Sequence, residues 1–552
     1  MNNIQKENLI IILARKGTKN IARQNVRLVN GKPLIYYIIK KCQEIKSADI
    51  LVSTDSEEIK ELSILYGVDW LDRPNTLTKD NIGIEKIAHN SLIQLQKKNL
   101  NYKKCLVLNP HFPLIKTSTI SKFFSILDNK KETVFGFQKD DEAEYIKIEK
   151  NRKDQKFVNL KLNIAEKRKI VSFNCKTFLI KKKLSKPEFG IKLKKSEIFS
   201  PDSYHGFGIL DNIMKRRKIL VRLDGSKSIG LGHVYNMLTI LNHFRNDEIL
   251  ILMNNKKCLG KEKLEENLYN VKLFSNESEL FKELKKFKPD IIFNDILNSK
   301  IKYMQKLKNT KFFVVNFEDV KEGRKFADLV FNPIFSSNKR FKNEFYGADY
   351  ACVRDEFRIF KRKIIRKKIE KITITLGGVD SNNNTLRVID SIRKNKISKN
   401  IEINVILGFG FLHKKELERK IQDMIEEDYK IKIIEKTDFI SKFIVDSDFV
   451  IASNGRTVFE VASLKIPIIS LSVNSREGLH SFVKESKTGI QIDFTNKMSG
   501  KKLINAISTM ENFDKRRKFL KNLEKIELEK GIERVVHIIN SEYDKKKLNF
   551  KF

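Results

Sequence analysis

Cysteine is scarce in this 552-residue chain, and no long apolar run is present. Five cysteines lie far apart without a Cys-x-x-Cys pair, which argues against a zinc site and a disulfide framework and favours a reducing compartment: Cys42, Cys105, Cys175, Cys258 and Cys352. No stretch approaches the roughly 18 apolar residues of a membrane span, and the N-terminus lacks the order of a signal peptide. We therefore expect a cytoplasmic protein with no membrane partner.

Acidic side chains are too few to balance the basic ones. The chain has 69 Asp and Glu against 109 Lys and Arg, a formal net charge of +40. Such a charge ordinarily indicates nucleic acid as a partner. The lysines are spread through every segment, however, and no RNA-binding or helix-turn-helix motif accompanies them. We therefore predict no nucleic-acid partner and favour small anionic ligands that carry phosphate.

Short runs rich in Ile and Val alternate with longer helical patterns along the chain. This alternation predicts an α/β fold of mostly parallel sheets with helices on both faces. The pattern restarts at residue 218 and again at 371, where a segment dense in Lys and Arg (360–371) precedes it. The sequence therefore predicts three α/β domains, at 1–215, 216–362 and 363–552.

A basic loop follows the first predicted strand. The segment LARKGTKNIARQN (13–25) contains Arg15, Gly17, Lys19 and Arg23. Backbone N–H groups and several cations together suit a triphosphate, whose negative charge requires both. An ordinary surface loop of a very basic protein has the same composition, so this loop alone leaves both interpretations open.

Four more segments follow the loop in order, namely NGKPLIYYII (30–39), VSTDSEEI (52–59), DRPNTLTKD (72–80) and LNPHFPL (108–114). Together they resemble the acylneuraminate cytidylyltransferases, which join CMP to a nonulosonic acid of the sialic type, over about residues 8–215. The resemblance implies a Rossmann-like, GT-A-like nucleotidyltransferase domain. It also implies the residues that hold CTP: Arg15, Gly17, Lys19, Arg23, Asn25, Arg73 and Asp80.

Two departures from that family bear on whether this domain is catalytic. The run from Asn109 to Ile115 lacks two hydroxyls and a cation that the family has there. The family binds Mg²⁺ through an Asp-x-Asp pair, and GFGILDN (206–212) offers only Asp211 as a metal ligand. We therefore expect weak CMP transfer, with Mg²⁺ as a cofactor only if the domain is active. We also predict a homo-oligomer formed through this domain.

A glycine-rich turn and a histidine open the second predicted domain. In RLDGSKSIGLGHVYNMLTI (222–240), a strand leads into Gly230 and Gly232, and helical spacing begins at His233. The positive potential of a helix N-terminus disfavours an imidazolium, so an imidazole there suits proton acceptance. A histidine that only caps the helix is the alternative.

A strand, turn and helix follow one another in FVIASNGRTVFEVASLKIPIISL (449–471). In the GT-B arrangement of two facing Rossmann-like domains, a nucleotide diphosphate lies at such a helix start. Glu460 would then accept the ribose hydroxyls, and the alternative is a helix-face carboxylate paired with a lysine. The remaining predicted ligands of the UDP-sugar come from this turn, from ITLGGVDSNNNT (374–385) and from the strand that follows: Gly377, Gly378, Ser453, Asn454, Gly455, Thr457 and Asn474.

The stretch from about 218 to 495 resembles the nucleotide-sugar hydrolase of pseudaminic acid biosynthesis. That family cleaves UDP-2,4-diacetamido-2,4,6-trideoxy-β-L-altropyranose to UDP and free sugar. The resemblance implies that His233 is the catalytic base toward water, that Asp224 lies near it, and that no cofactor is needed. One departure is Asn236, which stands where the family has an arginine, three residues after the histidine.

The two resemblances together predict a fusion enzyme of bacterial nonulosonic acid synthesis. Its C-terminal half would hydrolyse a UDP-sugar, and its N-terminal half would bind CTP and a nonulosonic acid as a weakened cytidylyltransferase. Two alternatives stay open. The C-terminal half would instead be a glycosyltransferase that passes the sugar to an alcohol, or the N-terminal half would bind nucleotide without chemistry.

Overall fold

The computed structural model describes residues 4–17, 21–79, 82–127, 132–137, 146–151, 154–159, 170–184, 189–226, 230–335, 341–360, 362, 366–395, 399–435, 437, 439–496 and 499–549. Two predicted CTP ligands, Lys19 and Asp80, lie outside these residues. Contacts divide the chain into two compact units, Met1–Lys215 and Arg216–Phe552. Within the described ranges, no helix is long and apolar enough to cross a membrane.

The first unit is built on a seven-stranded sheet. Its strands are β1 (Ile4–Leu13), β4 (Ala48–Thr54), β5 (Asp69–Asp72), β6 (Leu100–Leu108), β7 (Thr133–Phe137), β10 (Val171–Asn174) and β11 (Phe189–Lys192), in the order β11-β7-β10-β6-β1-β4-β5. Two hairpins lie outside it, β2 (Leu28–Val29) with β3 (Lys32–Pro33), and β8 (Ile146–Asn151) with β9 (Asp154–Asn159). Its helices are α1 (Leu34–Gln43), α2 (Glu57–Leu65), α3 (Ile84–Lys97), α4 (Thr117–Leu127), α5 (Cys175–Lys181) and α6 (Tyr204–Met214).

The centre of this sheet is parallel. Strands β1, β4, β5 and β6 run in one direction, and β10 is antiparallel to both of its neighbours. Leu9, Ile10, Ile11 and Ile12 of β1 are all buried, because helices cover both faces of a central parallel strand.

The first half of the second unit is a seven-stranded sheet in which every strand pair is parallel. Its order is β14-β13-β12-β15-β16-β17-β18. The strands are β12 (Lys218–Gly225), β13 (Glu248–Cys258), β14 (Asn270–Phe274), β15 (Ile291–Asp295), β16 (Phe313–Phe317), β17 (Leu329–Asn332) and β18 (Glu344–Tyr346). The helices are α7 (Gly232–Leu241), α8 (Lys261–Glu266), α9 (Glu277–Phe287), α10 (Ile301–Lys308) and α11 (Glu356–Ile359).

The second half has a six-stranded parallel sheet in the order β21-β20-β19-β22-β23-β24. The strands are β19 (Lys371–Thr375), β20 (Glu402–Ile406), β21 (Ile431–Ile434), β22 (Phe449–Ser453), β23 (Ile468–Ser472) and β24 (Gly489–Asp493). The helices are α12 (Asn384–Lys394), α13 (Lys414–Glu426), α14 (Ser441–Val445), α15 (Thr457–Ser463), α16 (Ser475–Gly478), α17 (Phe482–Glu485), α18 (Ser499–Glu511), α19 (Phe513–Glu524) and α20 (Gly531–Asn549).

These sheets confirm the predicted α/β class, but the last helix departs from the predicted subdivision. Ile532, Val535, Ile539 and Tyr543 of α20 belong to the core around β12, in the first half of the second unit. The predicted domain 363–552 therefore does not keep its C-terminal helix. Periodicity shows that a helix has an apolar face and leaves open which sheet receives it.

Both sheets of the second unit have the strand order of a doubly wound fold. The chain starts in the middle of each sheet, builds toward one edge, and then returns to build toward the other. The reversal falls between β12 and β15 in one sheet and between β19 and β22 in the other. In such sheets, ligands bind outside the carboxyl ends of the strands at that reversal.

Candidate functional site

A cavity of about 800 Å³ lies between the two halves of the second unit, at the carboxyl ends of these strands. Its volume is within the range of pockets that hold small organic ligands. The first half contributes Gly230, Gly232, His233 and Asn236 to the lining. Seven further predicted residues line it from the second half, together with Glu460: Gly377, Gly378, Ser453, Asn454, Gly455, Thr457 and Asn474. The structure thus brings together all the predicted UDP-sugar residues except Asp224.

His233 is held by a buried carboxylate that the sequence did not single out. His233 is the second residue of α7, and its Nδ1 is hydrogen-bonded to Oδ1 of Asp295, the last residue of β15. Asp295 is fully buried, and its Oδ2 accepts from Nδ2 of Asn236 at 2.7 Å. Burial alone would raise the pKa of Asp295, but His233 and nearby Arg456 outweigh it and lower that pKa below its usual value.

This arrangement decides which ring nitrogen of His233 is available. A proton on Nδ1 is donated to Asp295, which leaves Nε2 as the basic nitrogen of a residue that lines the cavity. The N-cap position of α7 is Leu231, and Nδ1 of His233 is bonded to Asp295. The geometry therefore suits proton acceptance better than helix capping.

Asp224 does not occupy the place beside His233 that we expected. It lies on β12, and its Oδ1 is 2.5 Å from Nη1 of Arg222, with Nζ of Lys257 at 3.5 Å from Oδ2. Residues two apart on a strand share a face, so Arg222 is placed to pair with this carboxylate. Asp224 is absent from the described cavity lining, and Asp295 from the neighbouring strand takes its expected place.

Three arginines in the cavity wall were not among the predicted ligands: Arg354, Arg456 and Arg476. Arg354 donates from Nε to Oε1 of Glu460 at 2.7 Å, so the partner of Glu460 is an arginine that also faces the cavity, and not a lysine. Arg456 and Arg476 both pair with the buried carboxylate of Glu318, at 2.7 and 2.8 Å. Two guanidinium groups thus share one carboxylate, and the net positive charge that remains in the wall suits a diphosphate.

The turn between β22 and α15 is held by the side chain of Asn454, which is fully buried. Its Nδ2 donates to the carbonyl oxygens of Glu477 (2.8 Å) and His480 (2.7 Å), so this side chain shapes the turn. Opposite it, Gly377 has a φ of +85°, and a Cβ there would lie 3.4 Å from Oγ of Ser453. Two close backbone segments thus form one wall of the cavity.

In the first unit, several predicted CTP ligands converge at the carboxyl ends of β1 and β5. Nδ2 of Asn25 donates to the carbonyl oxygen of Arg15 at 2.8 Å, and Nη1 of Arg15 donates to that of Thr78 at 3.1 Å. Arg73 is buried and donates from Nη2 to the carbonyl oxygen of Ser53 at 2.7 Å. Burial, together with the charge of Arg15, lowers the pKa of Arg73 to about 10. Arg15 and Arg73 therefore share one cationic region.

Arg23 and Gly17 are arranged differently. Arg23 has a left-handed backbone, and its exposed guanidinium pairs with Glu58 of α2. A Cβ on Gly17 would lie 3.3 Å from the backbone nitrogen of Arg23. The two residues are therefore neighbours in the loop, and the cation of Arg23 is directed to a carboxylate of the protein.

The predicted metal ligand Asp211 has both carboxylate oxygens engaged. Oδ1 accepts from the backbone N–H of Asn30 at 2.6 Å, and Oδ2 pairs with Lys215, so both partners lower the pKa of Asp211. The carboxylate thus ties α6 to the turn between β2 and β3. Within the part of the chain that is described, no three His, Cys, Asp or Glu side chains are grouped to hold a metal ion. The carboxylate of Asp211 is therefore committed to protein partners and would bind Mg²⁺ only in competition with them.

Comparisons with known proteins match parts of this chain. Residues 9–178 match the sequence model of the family described as Cytidylyltransferase. The chain is 31% identical over 291 residues to an uncharacterized protein, MJ1062, of Methanocaldococcus jannaschii, covering 49% of this chain and 59% of that protein. It is 35% identical over 115 residues to CMP-N,N'-diacetyllegionaminic acid synthase of Legionella pneumophila, covering 20% of this chain and 49% of that enzyme. The chain thus spans about half to three fifths of the length of these two relatives.

A solved structure of MurG from Acinetobacter baumannii aligns with 59% of this chain and 99% of its own length, at 12% identity and a TM-score of 0.43. The strand order of the chain itself gives the fold of the second unit. Two doubly wound parallel sheets that face one cavity are the GT-B arrangement. The chain therefore combines a cytidylyltransferase-like first unit with a GT-B-like second unit.

Proposed function

We propose that the second unit hydrolyses a UDP-linked diacetamido-trideoxy sugar to UDP and the free sugar, as one step of nonulosonic acid synthesis. The observation that carries this proposal is the pairing of His233 with buried Asp295 in the wall of the cavity. A base held by a buried carboxylate, beside a space large enough for a nucleotide sugar, suits the activation of water.

The reaction begins with a water molecule between Nε2 of His233 and the anomeric carbon of the sugar. The water transfers a proton to Nε2 as its oxygen bonds to the anomeric carbon. The bond between that carbon and the β-phosphate oxygen breaks, and its electron pair leaves with UDP. Asp295 stabilises the imidazolium that forms and keeps its ring in place.

The leaving group is stabilised by the second half of the unit. Negative charge develops on the β-phosphate as the bond breaks, and Arg354, Arg456 and Arg476 provide positive charge in the same wall. The glycine turns at Gly377 and Gly455 allow the diphosphate to approach the backbone. Glu460, held by Arg354, accepts the hydroxyls of the ribose.

The test is UDP release from candidate UDP-diacetamido sugars without any acceptor. His233→Asn should reduce turnover by about 10²-fold or more, the usual scale for a lost general base, while UDP binds within a few-fold of wild type. His243→Asn is the matched control, because His243 is exposed and outside the described cavity lining. Turnover close to wild type in His233→Asn would contradict the assignment, and UDP release that requires an alcohol would favour the glycosyltransferase alternative.

We further propose that the first unit binds CTP and transfers CMP to a nonulosonic acid only slowly. The family match over residues 9–178 and the cationic region of Arg15 and Arg73 support nucleotide binding. The engaged carboxylate of Asp211 supports slow chemistry, because cytidylyl transfer depends on neutralising the phosphate charge as the reaction proceeds. The alternative is a first unit that binds the nucleotide but does not transfer CMP at all.

A further inference from the structure

A chain of four side chains connects the nucleotide half of the cavity to His233. Arg456, directly before α15, donates from Nη1 to Oδ1 of Asn236 at 2.6 Å. Nδ2 of Asn236 donates to Oδ2 of Asp295 at 2.7 Å, and Asp295 bonds to Nδ1 of His233 through its other oxygen. Each oxygen of Asp295 therefore has its own partner. One of these partners, Asn236, is oriented by Arg456 of the second half.

We propose that Arg456 and Asn236 are positioning residues that hold Asp295, and through it His233, in the orientation needed for catalysis. Arg456 also pairs with Glu318 of the first half at 2.7 Å, so it contacts that half at two points. An amide at position 236 has no charge of its own to orient Asp295, and Arg456 supplies that charge from across the cavity. The alignment of the base then depends on a residue from the other half of the unit.

The physical basis is the freedom of a buried carboxylate. With Asn236 in place, the carboxylate of Asp295 is fixed by two donors, and the Nδ1 proton of His233 has one acceptor. Without Asn236, the carboxylate is free to rotate about its last side-chain bond, and the ring of His233 loses its single tautomer. A general base whose ring is misplaced by a fraction of an ångström loses rate without losing affinity for the substrate.

The kinetic test rests on the proposed hydrolase function. Asn236→Leu should lower kcat about tenfold or more with little change in KM, because Asn236 orients the base. Arg456→Gln should lower kcat similarly, and the double variant should be no slower than the worse single variant, since both cut one chain. Arg476→Gln is the matched control, because Arg476 pairs with the same Glu318 without reaching Asn236. The decrease in kcat caused by Arg476→Gln should multiply with the decrease caused by Asn236→Leu in the double variant that combines them. If the decreases caused by Arg456→Gln and Asn236→Leu also multiply in their double variant, the proposal is overturned.

A second variant tests the proposal by rescue. An arginine at position 236 would bring its own positive charge to Asp295, so Arg456→Gln combined with Asn236→Arg should turn over faster than Arg456→Gln alone. Asn236→Arg in the presence of Arg456 provides the reference. If the double variant is folded by thermal melting and is no faster than Arg456→Gln, Arg456 acts through some other contact and the proposal fails.

A readout independent of turnover separates this proposal from the hydrolase assignment. The ¹⁵N chemical shifts of His233 report which ring nitrogen carries the proton, and the difference from a His233→Asn spectrum identifies its signals. We expect a single tautomer, with the proton on Nδ1, in the wild type and in Arg476→Gln, and mixed tautomers in Asn236→Leu and Arg456→Gln. The same tautomer in all four proteins would overturn the proposal. Failure to hydrolyse any UDP-sugar would defeat the proposed function and leave this result standing.

Discussion

At the residue scale, His480 shows how a buried polar side chain shapes the cavity without entering it. It is fully buried, and its Nδ1 is 3.0 Å from the carbonyl oxygen of Asn454. Asn454 in turn donates to the carbonyl oxygen of His480, so two hydrogen bonds join these residues across the turn before α15. Within the described residues, Nε2 of His480 has no hydrogen-bond partner, and a proton added there would be buried without compensation.

The stability of the second unit should therefore depend on pH through His480. Burial lowers the pKa of His480 from 6.5 to about 4. Above pH 6.5 the residue is neutral in both states. As the pH falls toward 4, His480 becomes protonated in the unfolded chain but stays neutral in the folded chain. The free energy of unfolding therefore falls by up to about 3 kcal/mol. His480→Gln keeps a donor for Asn454 and should flatten the fall of Tm between pH 6.5 and 4.

The control for this prediction is His243→Gln, which removes an exposed histidine. Its Tm should follow the wild-type pH dependence. A His480→Gln protein whose Tm falls as steeply as that of the wild type would show that other groups account for the acid sensitivity.

At the scale of elements, the turns after β19 and β20 decide the shape of the nucleotide wall. Gly377 and Gly378 follow β19, and Gly408 follows β20, the neighbouring parallel strand. A Cβ on Gly408 would lie 2.4 Å from the carbonyl oxygen of Gly377 and 2.5 Å from that of Gly378. The two turns therefore pack backbone against backbone, and this contact requires glycine at position 408.

Gly408→Ala should displace the turn at Gly377 and weaken UDP binding by about tenfold or more, with a Tm lower by a few degrees. Isothermal titration with UDP and thermal melting measure the two effects. Gly478→Ala, at the end of α16, is the matched control, because a Cβ there meets nothing within 4 Å. Wild-type UDP affinity in Gly408→Ala would show that the nucleotide does not use this wall.

At the scale of the whole molecule, the two units have separate cores. Apolar clusters of the first unit surround β1, and those of the second surround β12 and β19. The proposed CTP site lies in the first unit and the proposed UDP-sugar site in the second. Binding to the two sites should therefore be separable by mutation.

Arg15→Ala should abolish CTP binding and leave UDP release unchanged, because Arg15 belongs to the first unit alone. His233→Asn should slow UDP release by about 10²-fold or more and leave CTP binding unchanged. We also expect pyrophosphate release from CTP and a nonulosonic acid to be much slower than UDP release at any Mg²⁺ concentration. Lys97→Ala, an exposed residue at the end of α3, is the control for loss of a cation. Rapid pyrophosphate release would show that an acidic residue other than Asp211, for example Asp202, serves the reaction.

The sequence by itself determined the class of fold and the glycine-containing turns that contribute to the second unit's cavity wall. Alternating apolar runs predict parallel α/β sheets because both faces of such strands are buried, and glycine-rich turns after strands predict where a ligand approaches. His233, Glu460 and the turn at 453–457 were found in this way. These signals are local, because each lies within about twenty residues of chain.

The tertiary structure alone decided the partners of those residues. Asp295 and Arg456 lie 62 and 220 residues from the side chains that they bond, His233 and Asn236, and no local pattern indicates either pairing. Asp224 was predicted because it is close to His233 in sequence. The carboxylate that bonds His233 is instead that of Asp295 on β15, and Asp224 on β12 pairs with Arg222. Strand order selects which distant side chains meet, since parallel strands that are neighbours in a sheet end at the same edge whatever their separation along the chain.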